Sequence, residues 1–287
     1  MPELPEVETV RRALAQEMEG RRIEHVEVRR HDLRFPVPID FADRLRGRTL
    51  LSLRRRAKYL VGTFDDETVL LVHLGMSGRM MIETQEDRCS PGHFLRGLGT
   101  HGIHEHIIFW VGDDTIVRFS DPRRFGLMLL TTAHDFPSHP LIRHLGPEPI
   151  GEHFTGPILA ARLRDRRTPI KSALLDQRVV AGVGNIYACE ALFDAGISPR
   201  RMAYTIQGTR AARLAVALRT VLSSAIEAGG SSLRDHVAPT GELGYFQYKF
   251  SVYGREGETC LGCGCTMLIK RITQAGRSTF LCTKCQR

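Results

Sequence analysis

The sequence predicts an α+β protein with a β-rich N-terminal domain, a helical middle and a compact C-terminal hairpin. Three observations carry this expectation. Short β-branched segments divided by turn signals occupy the first half, helical periodicity follows a proline-rich stretch, and paired cysteines close the chain.

The first element is a helix over 5–19. Pro5 suits the first helical position, Glu6 and Glu8 suit the positive end of the dipole, and Val7, Val10, Leu14 and Met18 share one face. The period then shortens. Segments 23–28, 49–53, 69–73, 107–111 and 115–119 are apolar and β-branched, with Gly112-Asp113-Asp114 as a typical divider. This spacing predicts a β-sandwich with flanking helices. Residues 89–106, rich in glycine and histidine, read as a long surface loop. Pro137, Pro140, Pro147, Pro149 and Pro157 mark a linker, beyond which Leu214, Leu218, Val221, Leu222, Ala225 and Ile226 trace a helix that Gly229-Gly230 ends. Residues 231–249 read as a further loop. The expected domains are 1–132, a linker at 133–150, a helical domain at 151–245 and a cysteine module at 246–287.

Composition bounds the function. Of 287 residues, 42% are hydrophobic and 25% charged, as in ordinary soluble proteins. No apolar run approaches the roughly 20 residues of a membrane span, and the acidic start does not fit a signal peptide, so a cytoplasmic location is expected. The net charge of +8 favours a polyanionic partner. Its arginines cluster: Arg54-Arg55-Arg56 with Lys58, Arg123-Arg124, Arg162 to Arg167, Arg200-Arg201, and Lys270-Arg271 with Arg277.

Five of the seven cysteines lie in the last 28 residues, which argues against a disulfide framework and for a metal. Cys260-x-x-Cys263, eighteen residues, then Cys282-x-x-Cys285 is the two-knuckle spacing of one tetrahedral structural zinc ion. Cys265 is an alternative to Cys263. The intervening segment reads as a hairpin turning at Gln274-Ala275-Gly276-Arg277. Arg277 beside Lys270 and Arg271 fits either phosphate contact or a solvated basic face.

The most specific signal is Met1-Pro2-Glu3-Leu4-Pro5-Glu6-Val7-Glu8-Thr9. Further motifs follow in order: Arg55-Arg56-Ala57-Lys58-Tyr59-Leu60, His73-Leu74-Gly75-Met76-Ser77-Gly78, Asp121-Pro122-Arg123-Arg124-Phe125-Gly126, Leu145-Gly146-Pro147-Glu148-Pro149, Gly182-Val183-Gly184-Asn185-Ile186-Tyr187-Ala188 and Val252-Tyr253-Gly254-Arg255. Together they resemble the formamidopyrimidine-DNA glycosylases over essentially the whole chain. The resemblance implies a bifunctional enzyme that excises 8-oxoguanine and formamidopyrimidines from duplex DNA. The abasic strand is then nicked by β,δ-elimination. It also implies a helix-two-turn-helix in the middle domain, a C-terminal zinc finger, and DNA lying across the cleft between the halves.

The chemistry follows from the residues. Once Met1 is removed, Pro2 is a secondary amine; its attack on the anomeric carbon expels the base and leaves an iminium ion that serves as an electron sink. Glu3 is the general acid/base that the family assigns. Glu6, one turn later, either orients the site or complements the helix dipole. Lys58 lies in a basic strand, and the resemblance brings it to the lesion and its phosphate. Met76, Arg123 and Phe125 match the family's residues that fill the hole left by an extruded nucleotide: a flexible apolar chain, a guanidinium for the orphaned base and an aromatic wedge. Asn185, Arg277 and His73 match its phosphate contacts, a buried structural role being the alternative for His73. One extruded nucleotide needs one site and no dimerisation heptad is present, so a monomer without protein partners is expected.

Three departures stand out. The lesion-recognition loop runs Ser231-Ser232-Leu233-Arg234-Asp235 where the family usually carries threonines and a lysine, segment 89–106 is long, and so is the spacer between cysteine pairs. Two rivals remain. One is an endonuclease VIII-like enzyme for oxidised pyrimidines, against which Leu4 counts. The other is a non-catalytic DNA-binding regulator, against which Pro2-Glu3 and Lys58 count.

Overall fold

The computed structural model describes residues 2–84, 103–231, 244–262, 264 and 266–287. It divides into two compact units, Met1–Arg143 with Gly229–Gly244, and His144–Ala228 with Tyr245–Arg287.

In the first unit, α1 (Leu4–Met18) and α2 (Phe41–Leu45) accompany eight strands: β1 (Ile23–Val28), β2 (Leu50–Arg56), β3 (Tyr59–Phe64), β4 (Thr68–His73), β5 (Arg79–Glu83), β6 (Glu105–Val111), β7 (Thr115–Ser120) and β8 (Leu127–Thr132). They form two antiparallel sheets, ordered β1-β6-β7-β5 and β2-β3-β4-β8. Side chains two residues apart enter one shared core. Leu70 and Val72 of β4, Ile107, Phe109 and Val111 of β6, and Val117 and Phe119 of β7 meet there, which makes the unit a β-sandwich. Helix α1 adds Val7, Val10, Leu14 and Met18 to the same core, the face its periodicity predicts.

The chain changes sheet three times, and the last two crossings are neighbours. Loop 74–78 leads from β4 to β5, and loop 121–126 returns from β7 to β8. His73 pairs with Leu127 at one root and Arg79 with Ser120 at the other. Residues far apart in sequence are thereby set side by side. Gly75 makes the approach possible: it sits at φ +64°, and a Cβ there would lie 2.4 Å from the Phe125 carbonyl carbon. Gly75→Ala is expected to destabilise the unit by about 2–4 kcal/mol, combining left-handed strain with overlap against backbone. A fall in the urea midpoint at unchanged slope checks this.

Strands β3, β5 and β8 have no counterpart in the sequence reading. Leu127–Thr132 and Arg79–Glu83 are rich in Leu and Met, which carry little β preference; cross-strand pairing makes them strands. Two expectations are corrected. The basic run does not continue as a strand through Lys58, because Arg56 pairs with Tyr59 and Ala57-Lys58 is a two-residue turn with Ala57 at φ +54°. The expected loop 89–106 ends inside β6, where Glu105 and His106 are buried; residues 85–102 lie outside the described residues.

The second unit holds α3 (Gly156–Leu163), α4 (Ile170–Leu175), α5 (Asn185–Asp194), α6 (Gly208–Glu227) and the hairpin of β9 (Lys270–Gln274) with β10 (Arg277–Leu281). Leu214, Leu218 and Leu222 form the buried stripe of α6 against Tyr187, Ala188 and Leu192 of α5. Burying each such leucine is worth about 2 kcal/mol. Gly229 and Gly230, both at positive φ, follow α6. The hairpin turn is Ala275-Gly276 with φ of 47° and 71°, the pattern of a type I′ connection. The expected loop over 231–249 ends in a short 3-10 turn, Phe246–Lys249.

Candidate functional site

The N-terminal end of α1 is built around two buried carboxylates. Glu3 is the N-cap, and Glu6 Oε2 accepts the Glu3 N–H at 2.9 Å within a capping box. Glu6 Oε1 accepts the Ser231 N–H at 2.9 Å and its hydroxyl at 3.0 Å. Glu6 thus both lies in the first turn of the helix and bonds the backbone on either side of it. It ties Pro2-Glu3 to the first residue of the expected lesion-recognition segment, whose remainder, 232–243, lies outside the described residues. Pro2 is buried, and Met1 also lies outside them.

Lys58 is 5% exposed. Its turn is braced from α1 through Arg55, whose Nε donates to Glu8 Oε2 at 3.2 Å and whose Nη1 donates to the Ala57 carbonyl at 3.0 Å. The turn places Lys58 inside the domain. Its charge reaches His73.

His73, at the end of β4, packs on the Tyr59 ring at 4.9 Å and accepts the Gly75 N–H on Nδ1 at 2.9 Å. Burial, with the charges of Lys58 and Arg34, lowers its pKa from 6.5 to about 4. The ring is thus neutral at physiological pH with its proton on Nε2, able to donate one hydrogen bond. Because the folded value lies below the unfolded one, this ring's contribution to stability is complete above pH 6.5 and is lost as pH falls towards 4. An NMR titration is expected to place the His73 midpoint near 4, whereas a midpoint near 6.5 would contradict the burial seen here.

Met76, Arg123 and Phe125 are brought together by the two sheet crossings. Met76 is 37% and Phe125 45% exposed, unusual for large apolar chains on glycine-flanked loops. The Arg123 guanidinium lies over the Phe125 ring at 4.8 Å. Pro122 begins a turn closed by the Arg124 N–H to the Asp121 carbonyl at 3.1 Å.

In the second unit, Asn185 and Arg277 converge through Ser278. Asn185 Nδ2 donates to the Ser278 carbonyl at 3.0 Å, and fully buried Lys171 donates to the same oxygen at 3.0 Å and to Thr279 Oγ1 at 2.7 Å. Arg277, next to Ser278, is exposed at the hairpin tip. Gln177 shapes the loop before Asn185: its Oε1 accepts the Gly182 N–H at 2.8 Å and its Nε2 donates to the Val183 carbonyl at 2.9 Å. Glu190 of α5 accepts the N–H groups of Ser251, Val252 and Tyr253 at 2.7–3.0 Å. Burial raises its pKa, and those three bonds oppose the rise.

Cys260, Cys282 and Cys285 place their sulfurs within 4.8 Å of one another, a group able to hold a metal ion. The donor set fits a cation: burial pushes the Cys260 thiol up, so packed thiolates need a positive charge among them. Cys263 and Cys265 lie outside the described residues.

Several residues escaped the sequence reading: Asp121 with Ser77, Arg55, Lys171, Gln177 and Glu190. Each acts by bonding backbone or a distant side chain, so only a carboxylate or amide within an apolar helix, as in Tyr187-Ala188-Cys189-Glu190-Ala191-Leu192, hinted at one of them. Among the described residues, no helix is long and apolar enough to cross a membrane.

Comparison with known proteins accords with this geometry. The formamidopyrimidine-DNA glycosylase N-terminal domain matches residues 1–128, and the formamidopyrimidine-DNA glycosylase H2TH domain matches 145–237. A formamidopyrimidine-DNA glycosylase of Azorhizobium caulinodans is 53% identical over the full length of both chains. Among solved structures, a Lactococcus lactis Fpg mutant in complex with Fapy-dG-containing DNA is 33% identical, with TM-score 0.86 and complete coverage of both chains. A MutM in complex with carbocyclic 8-oxo-G-containing DNA matches at 33% identity and TM-score 0.84, again over both whole chains. With this likeness running from end to end, the chain belongs to the formamidopyrimidine-DNA glycosylase family, the base-excision repair enzymes of oxidised DNA.

Proposed function

We propose that this chain excises 8-oxoguanine and formamidopyrimidines through a covalent bond to Pro2 and then nicks the strand. The observation that carries this reading is the buried Pro2-Glu3 pair, fixed by the bond from the Glu3 N–H to Glu6. A pure DNA binder has no use for a secondary amine held beside a carboxylate.

Removal of Met1 leaves the Pro2 nitrogen with a lone pair. It attacks C1′ of the extruded nucleotide, the bond from C1′ to the base breaks with its electron pair leaving on the base, and the departing base takes up the proton that the Pro2 nitrogen sheds. Glu3 protonates the ring oxygen as the sugar opens, giving a C1′=N iminium. The iminium acidifies the C2′ proton; its removal expels the 3′ phosphate, and a second elimination expels the 5′ phosphate. Lys58, already inside the domain, supplies positive charge for the lesion's phosphate.

Met76, Arg123 and Phe125 fill the vacated stack, with Arg123 facing the orphaned base. Neutral His73 donates through Nε2 to a phosphate oxygen, while Asn185 and Arg277, joined through Ser278, hold the lesion strand. The ion of the cysteine group is zinc, with Cys263 as fourth ligand beside Cys260, Cys282 and Cys285; its chemistry is structural, charge-neutralising the thiolates and closing the knuckles. The protein acts in the cytoplasm as a single chain on duplex DNA. The reading is tested by a panel of defined lesions opposite cytosine and adenine. Oxidised purines opposite cytosine are expected to be excised and nicked fastest; a preference for oxidised pyrimidines would favour the endonuclease VIII-like alternative.

A further inference from the structure

We infer that Asp121, acting with Ser77, is the positioning residue that makes the two insertion loops move as one rigid unit. The inference rests on the reading of Met76, Arg123 and Phe125 as the residues that enter the duplex. Those three belong to different sheet crossings, so nothing in the chain's connectivity holds Met76 in register with the other two.

Asp121 is fully buried. Its Oδ1 accepts the Ser77 hydroxyl at 2.6 Å, and its Oδ2 accepts the Gly126 N–H at 2.7 Å. Ser77 Oγ in turn accepts the Arg123 N–H at 3.2 Å. One carboxylate therefore fixes the residue after Met76, the backbone of Arg123 through Ser77, and the residue after Phe125. The Asp121 carbonyl also accepts the Arg124 N–H at 3.1 Å and contacts His106 Nε2 at 2.8 Å, so the carboxylate is itself anchored to the turn and to β6.

The bond lengths suit charge-assisted contacts, the strong class. A buried carboxylate is costly to desolvate, and an apolar side chain would fill the same volume more cheaply. What an apolar residue lacks is the ability to accept from both loops at once. Inserting side chains into a stack requires the wedge, the guanidinium and the flexible chain to arrive together. Loops free to shift by even an ångström would pay that ordering cost at every encounter.

The test uses Ser77→Ala, which removes both contacts of the hydroxyl, and Asp121→Asn, which keeps the shape and one acceptor. Both are measured alone and with Phe125→Ala. Single-turnover excision of 8-oxoguanine is read beside the fluorescence of 2-aminopurine placed opposite the lesion, which reports insertion. Ser77→Ala is expected to lower the thermal midpoint, to slow both signals about tenfold at a temperature where the variant is fully folded, and to add almost nothing once Phe125 is already alanine, as for residues acting through one another. Asp121→Asn behaves the same way, more mildly. A loss that multiplies with that of Phe125→Ala, or normal insertion in Ser77→Ala while Phe125→Ala is slow, overturns the inference alone. Normal excision by Met76→Ala, Arg123→Ala and Phe125→Ala together would instead overturn the insertion reading on which it stands.

Discussion

A chain carrying even two extra residues ahead of Pro2 is expected to lose excision by about a thousandfold or more, equivalent to about 4 kcal/mol of barrier. Extension converts the Pro2 nitrogen into an amide whose lone pair is delocalised, and no neighbouring group replaces it. Glu3 is a carboxylate held by backbone bonds. Lys58 is buried, 5% exposed, at a turn that Arg55 braces through Glu8 and the Ala57 carbonyl. Pro2→Gly is expected to fall between wild type and the extended chain, since a primary amine still attacks but lacks the constraint of the ring. Single-turnover excision and binding to a duplex with a stable abasic analogue, measured together, separate lost chemistry from lost contact.

Loss of the proposed zinc ion is the second large effect. Cys282 is fully buried and Cys260 nearly so, both within the small core of Val252, Ile269 and Phe280. Structural zinc binding is worth about 10–16 kcal/mol, more than the whole stability of an ordinary domain. Cys282→Ala or exhaustive chelation is therefore expected to release one zinc ion per chain and loosen β9 and β10. The Ser278 carbonyl would then no longer meet Asn185 and Lys171. Affinity for lesion duplex is expected to fall at least about a hundredfold, as the phosphate contacts proposed for Arg277 and Asn185 go together. Colorimetric zinc release beside gel-shift titration measures both. Unaltered DNA affinity in zinc-free protein would show that the hairpin needs no ion.

The elements that the sequence made legible are those whose pattern is local. Helix α1 announces itself through Val7, Val10, Leu14 and Met18, and α6 through Leu214, Leu218 and Leu222, each ending one residue or so from its capping signal. The Ala275-Gly276 turn was legible for the same reason. Elements that depend on partners were not. β8 is a run of Leu and Met that becomes a strand by pairing with β4, and the turn at Ala57-Lys58 was hidden in basic residues that look like one extended segment. For the candidate site, motif order pointed to Pro2, Glu3, Met76, Arg123 and Phe125 individually. The convergence of Met76, Arg123 and Phe125 depends on two crossings between sheets, a property of topology that no window of sequence contains. The supporting residues, Asp121, Arg55, Lys171 and Glu190, were least legible, because each bonds across 40 or more residues, a separation at which no local pattern pairs the two ends.

The most direct measurement is borohydride reduction during turnover of an 8-oxoguanine duplex, followed by peptide mass spectrometry of the cross-linked protein. The reduced deoxyribose remnant is expected on the peptide that begins at Pro2, on its nitrogen, with Met1 absent. A remnant carried by a lysine such as Lys58, or full activity from protein that retains Met1, would contradict it.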